Sequence, residues 1–315
     1  MLRAVLLRVL SLAGTLLAVS AAIFVVVDVL PGDTASVMLG TSAREDTLAA
    51  LRAELGLDRP ALARYGAWIG GLLVGQFGTS VTYAMPVGTL IAERFAVTLP
   101  LGLLALAITL ALALPLGVAA AHHHGRTLDR AISFGSQVGV AVPNFWLGLL
   151  FILVFATGLN WLPAGGFPGW SGGIWPGLRS LLLPAVALAL PQAAVLTRVV
   201  RAATLEVTGA DFVRTARAKG VSERAALVRH VVPNALVPVA TIVGLQLSVL
   251  VAGAILVENV FNLPGLGRLA YQALAQRDLV VIRNVVLVLA ALAIAANALV
   301  DLAYLVLDPR LRRRA

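Results

Sequence analysis

The chain has 315 residues, 60% of them apolar and only 12% charged, with a mean hydropathy of +0.94. An average soluble domain is about a quarter charged, so this composition excludes a soluble globular protein and implies a bundle of membrane-spanning helices. The formal charge of +9 is the excess expected of arginines retained on the cytoplasmic side of a membrane, and it is not read as a nucleic-acid surface. Cysteine is absent, which excludes disulfides, thiolate nucleophiles and cysteine metal sites.

In chain order, the first predicted span covers residues 9–30, preceded by Arg3 and Arg8. Its apolar stretch outruns the roughly 7–15 residues of a signal-peptide core, so it is expected to be retained. Residues 31–97 follow as an extracytoplasmic segment. There Ser42 and Glu45 form a capping box before Leu48, Leu51 and Leu55, Gly56 stands where that helix would end, and Pro60 suits the first turn of another. Short amphipathic helices are predicted. Spans at 98–121 and 132–158 flank the short loop HHHGRTLDR. The fourth span, 181–197, carries Pro184 and Pro191, which membrane helices tolerate when neighbours satisfy the freed carbonyls. Between the third and fourth, Trp161, Trp170 and Trp175 suit the headgroup level. The last two spans are predicted at 235–257 and 284–307.

Orientation follows from the arginines. With both termini in the cytoplasm, the N-terminal end, the HHHGRTLDR loop, the segment 198–234 and the tail RLRRR hold most of the 24 basic residues. Short loops decide this rule, whereas the long segment 31–97 weighs little.

The segment 198–234 contains the only lysine, Lys219, and seven basic residues from Arg198 to Arg229. One arginine at the bilayer centre costs about 2.5–3.5 kcal/mol on insertion scales, so the segment cannot span. Leu205, Phe212 and Ala216 recur at helical spacing, with Glu206 and Asp211 toward the N-terminal end and Lys219 toward the C-terminal end, as a helix dipole prefers. Gly220 falls where a left-handed residue ends a helix, and Ser222 is placed to cap SERAALVRH, which stops near Pro233. A helix, a tight turn and a second helix are predicted. Ala216, Ala218 and Gly220 leave little side chain between that backbone and a partner.

The spacing of Arg214-Thr215-Ala216, three residues, Gly220, nine residues and His230-Val231-Val232-Pro233 resembles the EAA loop of ABC importer permeases, written EAA, x3, G, x9, I-x-L-P. Arg214 replaces the glutamate, Thr215 the first alanine, His230 the isoleucine and Val232 the leucine. The fuller string DFVRTARAKG is similar to the version in the dipeptide and oligopeptide branch. MLRAVLLRVL, LPGD from Leu30, WLPAGGF from Trp161, ENVFNLPGLG from Glu258 and LDPR from Leu307 extend the resemblance over nearly the whole chain.

The resemblance implies an all-α, six-span permease of the type I importer fold in a bacterial inner membrane. It implies a second homologous permease, two ATP-binding subunits that carry ATP and magnesium, and an extracytoplasmic solute-binding protein, which segment 31–97 would contact. The coupling loop would comprise Arg214, Thr215, Ala216, Arg217, Ala218, Lys219, Gly220, Val221 and Pro233. Peptides are the expected solute; nickel chelates, haem and glutathione are served by the same branch.

No catalytic or cofactor chemistry of the chain's own is expected. A P-loop needs Gly-Lys-Ser/Thr, and Lys219 lies between Ala218 and Gly220, so ATP must be hydrolysed elsewhere. Three consecutive histidines, His122 to His124, point about 100° apart on a helix and do not converge on one ion. Intramembrane polar residues are functional candidates by default. Asn144, Gln192 and Gln246 could line a pathway, Asp301 is assigned to helix packing or intersubunit hydrogen bonding, and Asn297, four residues before it, stands as a pathway or packing residue. Asp28 and Glu258 lie near outer span ends. A self-sufficient secondary transporter or channel is the rival class, and would need more buried ionisable groups than Asp301.

Overall fold

The structure, a computed structural model, describes residues 2–29, 35, 39, 44–54 and 57–307, with side chains at 10–27, 35, 39, 44–50, 52–53 and 57–298. The predicted cap Ser42, the helix end at Leu55 and Gly56, and the side chains of Leu51, Asp28 and Asp301 lie outside these.

Helices α1 (Leu2–Val29), α2 (Glu45–Glu54) and α3 (Ala61–Leu73) precede α4 (Val87–His122), α5 (Thr127–Ala141) and α6 (Asn144–Phe151), which a π turn prolongs through Ile152–Gly158. Then come α7 (Ile174–Thr208), α8 (Asp211–Ala218) and α9 (Glu223–Ala226), a π turn at Leu227–Val231 leading into α10 (Val232–Val260), α11 (Leu266–Ala275) and α12 (Leu279–Leu307). Among the described residues there is no strand beyond an isolated bridge of Thr79 with Pro86. Among the described residues, five helical stretches are long and apolar enough to cross a membrane: 10–27, α4, α7, 223–260 and 279–298. A sixth arises if α5 and α6 count as one broken span.

One span differs from expectation. Residues 132–158 are not one helix, because α5 and α6 meet at a 98° bend. Val142 there is extended at φ −92° and ψ 122°, since the ring of Pro143 disfavours the helical region for the residue before it. Conversely, α7 continues unbroken through Pro184 and Pro191. α4 is also long: 36 residues at 1.5 Å each reach about 54 Å, well beyond a 30 Å hydrocarbon layer.

The chain forms two compact units, one from Leu99–Leu263 with the chain from Ala293 onward, the other from Leu2–Thr98 with Pro264–Leu292. In the first, α7 is central and packs on α10, α5 and α6. Ala193, Leu196, Val200 and Ala203 of α7 meet Ala113 of α4 and Ala235 and Val239 of α10 in a buried cluster. Small residues set the spacing, as is usual where membrane helices pack by close contact. A Cβ added to Gly139 of α5 would lie 2.8 Å from the methyl of Ala194 on α7.

In the second unit, Phe24, Tyr65 and Trp68 join α1 to α3 with ring centroids 5.4 to 6.3 Å apart. The buried carboxylate of Asp278 accepts hydrogen bonds from Ser80 Oγ at 2.6 Å and from the backbone N–H groups of Thr82 and Val281 at 3.1 Å each. One side chain therefore caps the start of α12 and fastens the loop before α4. Thr98 Oγ1 similarly accepts from the backbone N–H of Leu266 at 2.8 Å, satisfying a first-turn donor of α11.

Candidate functional site

The predicted helical segment through Gly220 is interrupted at Gly209, whose N–H bonds back to Leu205 and Glu206 at 3.3 and 3.2 Å. Arg198, Arg201 and Glu206 therefore lie on α7, and only α8 and the turn after it stand apart, the second helix being continuous with α10. Ala210 is extended at φ −68° and ψ 148°, and α8 opens with Asp211 in its first turn and carries Arg217 in its last. That arrangement places a stabilising charge at each end of the helix dipole.

The end of α8 is a complete Schellman motif. Gly220 has φ +88°, its N–H bonds to Arg217 O at 2.9 Å, and the Val221 N–H bonds to Ala216 O at 3.2 Å. Ser222 Oγ then accepts from the Ala225 N–H at 3.4 Å to start α9, and Arg217 lies 3.9 Å from Glu223 across the turn. The helix expected to stop near Pro233 does not: a π turn at Leu227–Val231 stands just before that residue and the helix runs on into α10, giving one stretch from Glu223 to Val260.

The face assignment differs from expectation. Phe212 is 48% exposed, while the neighbouring Val213 is fully buried, as are Ala226 and Val231. The element is anchored by these three small apolar side chains. Its outer face presents Phe212, Arg214, Thr215, Arg217, Ala218, Lys219 and Gly220, with Val228 60% exposed beyond the turn and Pro233 exposed at its end. Ala216 and Val221 are partly covered. The exposed Arg214–Asp211 pair at 3.6 Å is worth little in water. Such a surface, with two large apolar groups among cations and backbone accessible at Gly220, suits a protein partner better than water.

The candidate pathway residues divide. Gln246 of α10 is buried, and its Nε2 donates to Gln192 O on α7 at 2.8 Å. Seven residues on, Gly253 faces Asn144 of α6: an added Cβ would meet Asn144 Nδ2 at 2.8 Å. Gln246 and Gly253 are two turns apart, so Gln192, Gln246 and Asn144 lie along one side of α10. Asn297 is elsewhere, its Nδ2 donating to Ser248 Oγ at 3.0 Å between α12 and α10.

The histidine run does not gather. His123 Nδ1 bonds Ala119 O at 2.9 Å, and the rings of His122 and His123 stand edge to face. Among the described residues, no three metal-ligating side chains converge.

Residues 113–313 match the family model described as binding-protein-dependent transport system inner membrane component, and residues 1–102 match its N-terminal counterpart. A Brucella abortus protein named as a peptide transport system permease is 41% identical over 305 residues, covering 97% of each chain. The glutathione transport system permease protein of Salmonella choleraesuis is 38% identical over 312 residues, covering 99% of each. Among solved structures, the MetNI methionine ABC transporter in an inward-facing conformation aligns with TM-score 0.59 at 20% identity, over 70% of this chain and 96% of that one. At that identity the likeness concerns the fold alone.

Proposed function

Because the chain belongs to the inner membrane components of binding-protein-dependent transport systems, we propose that it is one permease of an ATP-driven peptide importer. It pairs with a second homologous permease to form the pathway, two ATP-binding subunits hydrolyse ATP, and an extracytoplasmic solute-binding protein delivers the solute. The chain resides in the bacterial inner membrane with both termini and the 211–233 element in the cytoplasm.

The observation that carries this reading is the 211–233 element itself. Its backbone is fixed by a Schellman turn and a serine cap, and its outer face combines exposed Phe212 and Val228 with cations and the open backbone of Gly220. A short, rigid, partly apolar projection can transmit the motion of an ATPase only through close contact, and this one permits it. The peptide assignment is supported by relatives from Brucella and Sinorhizobium named for peptide transport. The Salmonella relative fits the same chemistry, glutathione being a tripeptide derivative.

Affinity purification of this chain from its native membrane tests the assembly. The expected set is two permeases and two ATP-binding subunits, with ATP hydrolysis stimulated by a peptide-loaded binding protein. Purification of an active transporter without any ATP-binding subunit would instead establish a self-sufficient carrier.

A further inference from the structure

The loop between α4 and α5 is fastened to α7 by one buried carboxylate. Asp129, in the first turn of α5, is 3% exposed. Arg201 of α7 donates to it through Nε at 2.6 Å and Nη2 at 2.8 Å, one bond to each carboxylate oxygen. The Gly125 N–H adds a bond at 2.9 Å and Ser133 Oγ one at 3.3 Å. His124 Nδ1 lies 3.2 Å from Asp129 Oδ2 and 3.1 Å from Arg201 Nη2, so its tautomer decides which of the two it bonds.

A two-pronged guanidinium–carboxylate pair fixes orientation as well as distance. It is also the second fastening between these helices. Gly139 and Ala194 bring α5 and α7 into close contact about two to three turns away, and two separated fastenings prevent pivoting about either one. Arg201 is about two helical turns from the end of α7 at Thr208, directly before the 211–233 element.

We propose that Asp129 and Arg201 are positioning residues that make α5 and the end of α7 move as one body, so that a displacement of the 211–233 element reaches α5. The inference rests on the importer reading. It adds that force leaves the coupling element through α5 as well as through α7, and that the bidentate geometry is what carries it.

The test uses the whole importer in proteoliposomes with Arg201→Lys, Asp129→Asn and the reversed pair Asp129→Arg/Arg201→Asp. Lysine keeps the charge but cannot make the fork. The expected result is that Arg201→Lys and Asp129→Asn still copurify with the ATP-binding subunits while peptide imported per ATP hydrolysed falls by about tenfold, the order expected from losing a charged hydrogen bond. The reversed pair should recover part of that loss. A readout independent of transport uses spin labels on cysteines introduced at exposed Arg130 and Ala202. The interlabel distance should stay constant through the nucleotide cycle in the parent and change with nucleotide in Arg201→Lys. Wild-type coupling in both single variants, or an interlabel distance that ignores the substitution, overturns the proposal and leaves the importer reading standing. Failure of the unmodified chain to copurify with any ATP-binding subunit overturns that reading first.

Discussion

The indole Nε1 of Trp68 donates to Oδ1 of Asn284 at 3.0 Å, joining α3 to α12 across 216 residues of chain. Asn284 is 1% exposed, and its Nδ2 is shared between Phe77 O at 2.9 Å and Val280 O at 2.7 Å. One buried amide thus satisfies an indole and a loop carbonyl. Asn284→Leu would strand both, each at about 1–3 kcal/mol. Trp68→Phe keeps a ring against Phe24 and beneath Arg283 and loses mainly the donor. The expected outcome is a larger fall in thermal midpoint for Asn284→Leu than for Trp68→Phe, measured on purified protein in detergent. Equal midpoints would mean the amide is not holding the loop.

Two glycines of α4 should respond oppositely to the same change. A Cβ on Gly117 would sit 2.6 Å from Val200 Cβ and 2.8 Å from Thr197 O, whereas one on Gly102 would meet nothing within 4 Å. Gly117→Ala should therefore force α4 off α7, at a cost of about 1–3 kcal/mol from overpacking. Gly102→Ala should be neutral or stabilising by up to about 1 kcal/mol through helix propensity. Thermal denaturation of the two variants side by side distinguishes local crowding from a general intolerance of α4 to substitution.

Gly220→Val isolates the turn. Positive φ costs an ordinary residue roughly 1–2 kcal/mol, more for a β-branched one. No atom lies within 4 Å of the added Cβ, so nothing inside the chain collides with it. Membrane abundance should hold, while copurification of the ATP-binding subunits weakens and peptide uptake is lost. Gly220→Asn, which tolerates the left-handed region, should retain more activity than valine. Uptake at the wild-type rate by Gly220→Val would remove the coupling role from this element.

Orientation can be read directly because the chain has no cysteine. Single thiols at Lys219 and Arg126 should react with an impermeant maleimide only after the cytoplasmic face is opened. Thiols at Asp46 and Trp175 should react in cells whose outer barrier alone is permeabilised. Labelling of the Lys219 position under the second condition would invert the topology.

Much of the 211–233 element was legible in sequence because its rules are local. A left-handed residue and a serine cap act within three or four residues, and Gly220 and Ser222 adopt those conformations, whereas the helix stop expected near Pro233 is absent because a π turn carries the helix on into α10. Apolar runs of span length are likewise a property of consecutive residues. The face of α8 was not legible: Phe212 and Val213 are adjacent, both apolar, and only what lies beneath decides which turns inward. Nor was the break at Gly209, whose neighbours read as a continuation of the helix.

By itself, the sequence determined that the protein is a helical membrane bundle with a charged helix–turn–helix between its fourth and fifth predicted spans, because hydrophobicity, charge and turn chemistry are carried by neighbouring residues. Only the tertiary structure decided that Pro143 bends a span while Pro184 and Pro191 do not. A proline frees a carbonyl in every case, and whether the helix survives depends on what surrounds it. The same holds for Asp129 and Arg201, 72 residues apart. In sequence they are two charges among many, and folding alone places a buried carboxylate within reach of that guanidinium.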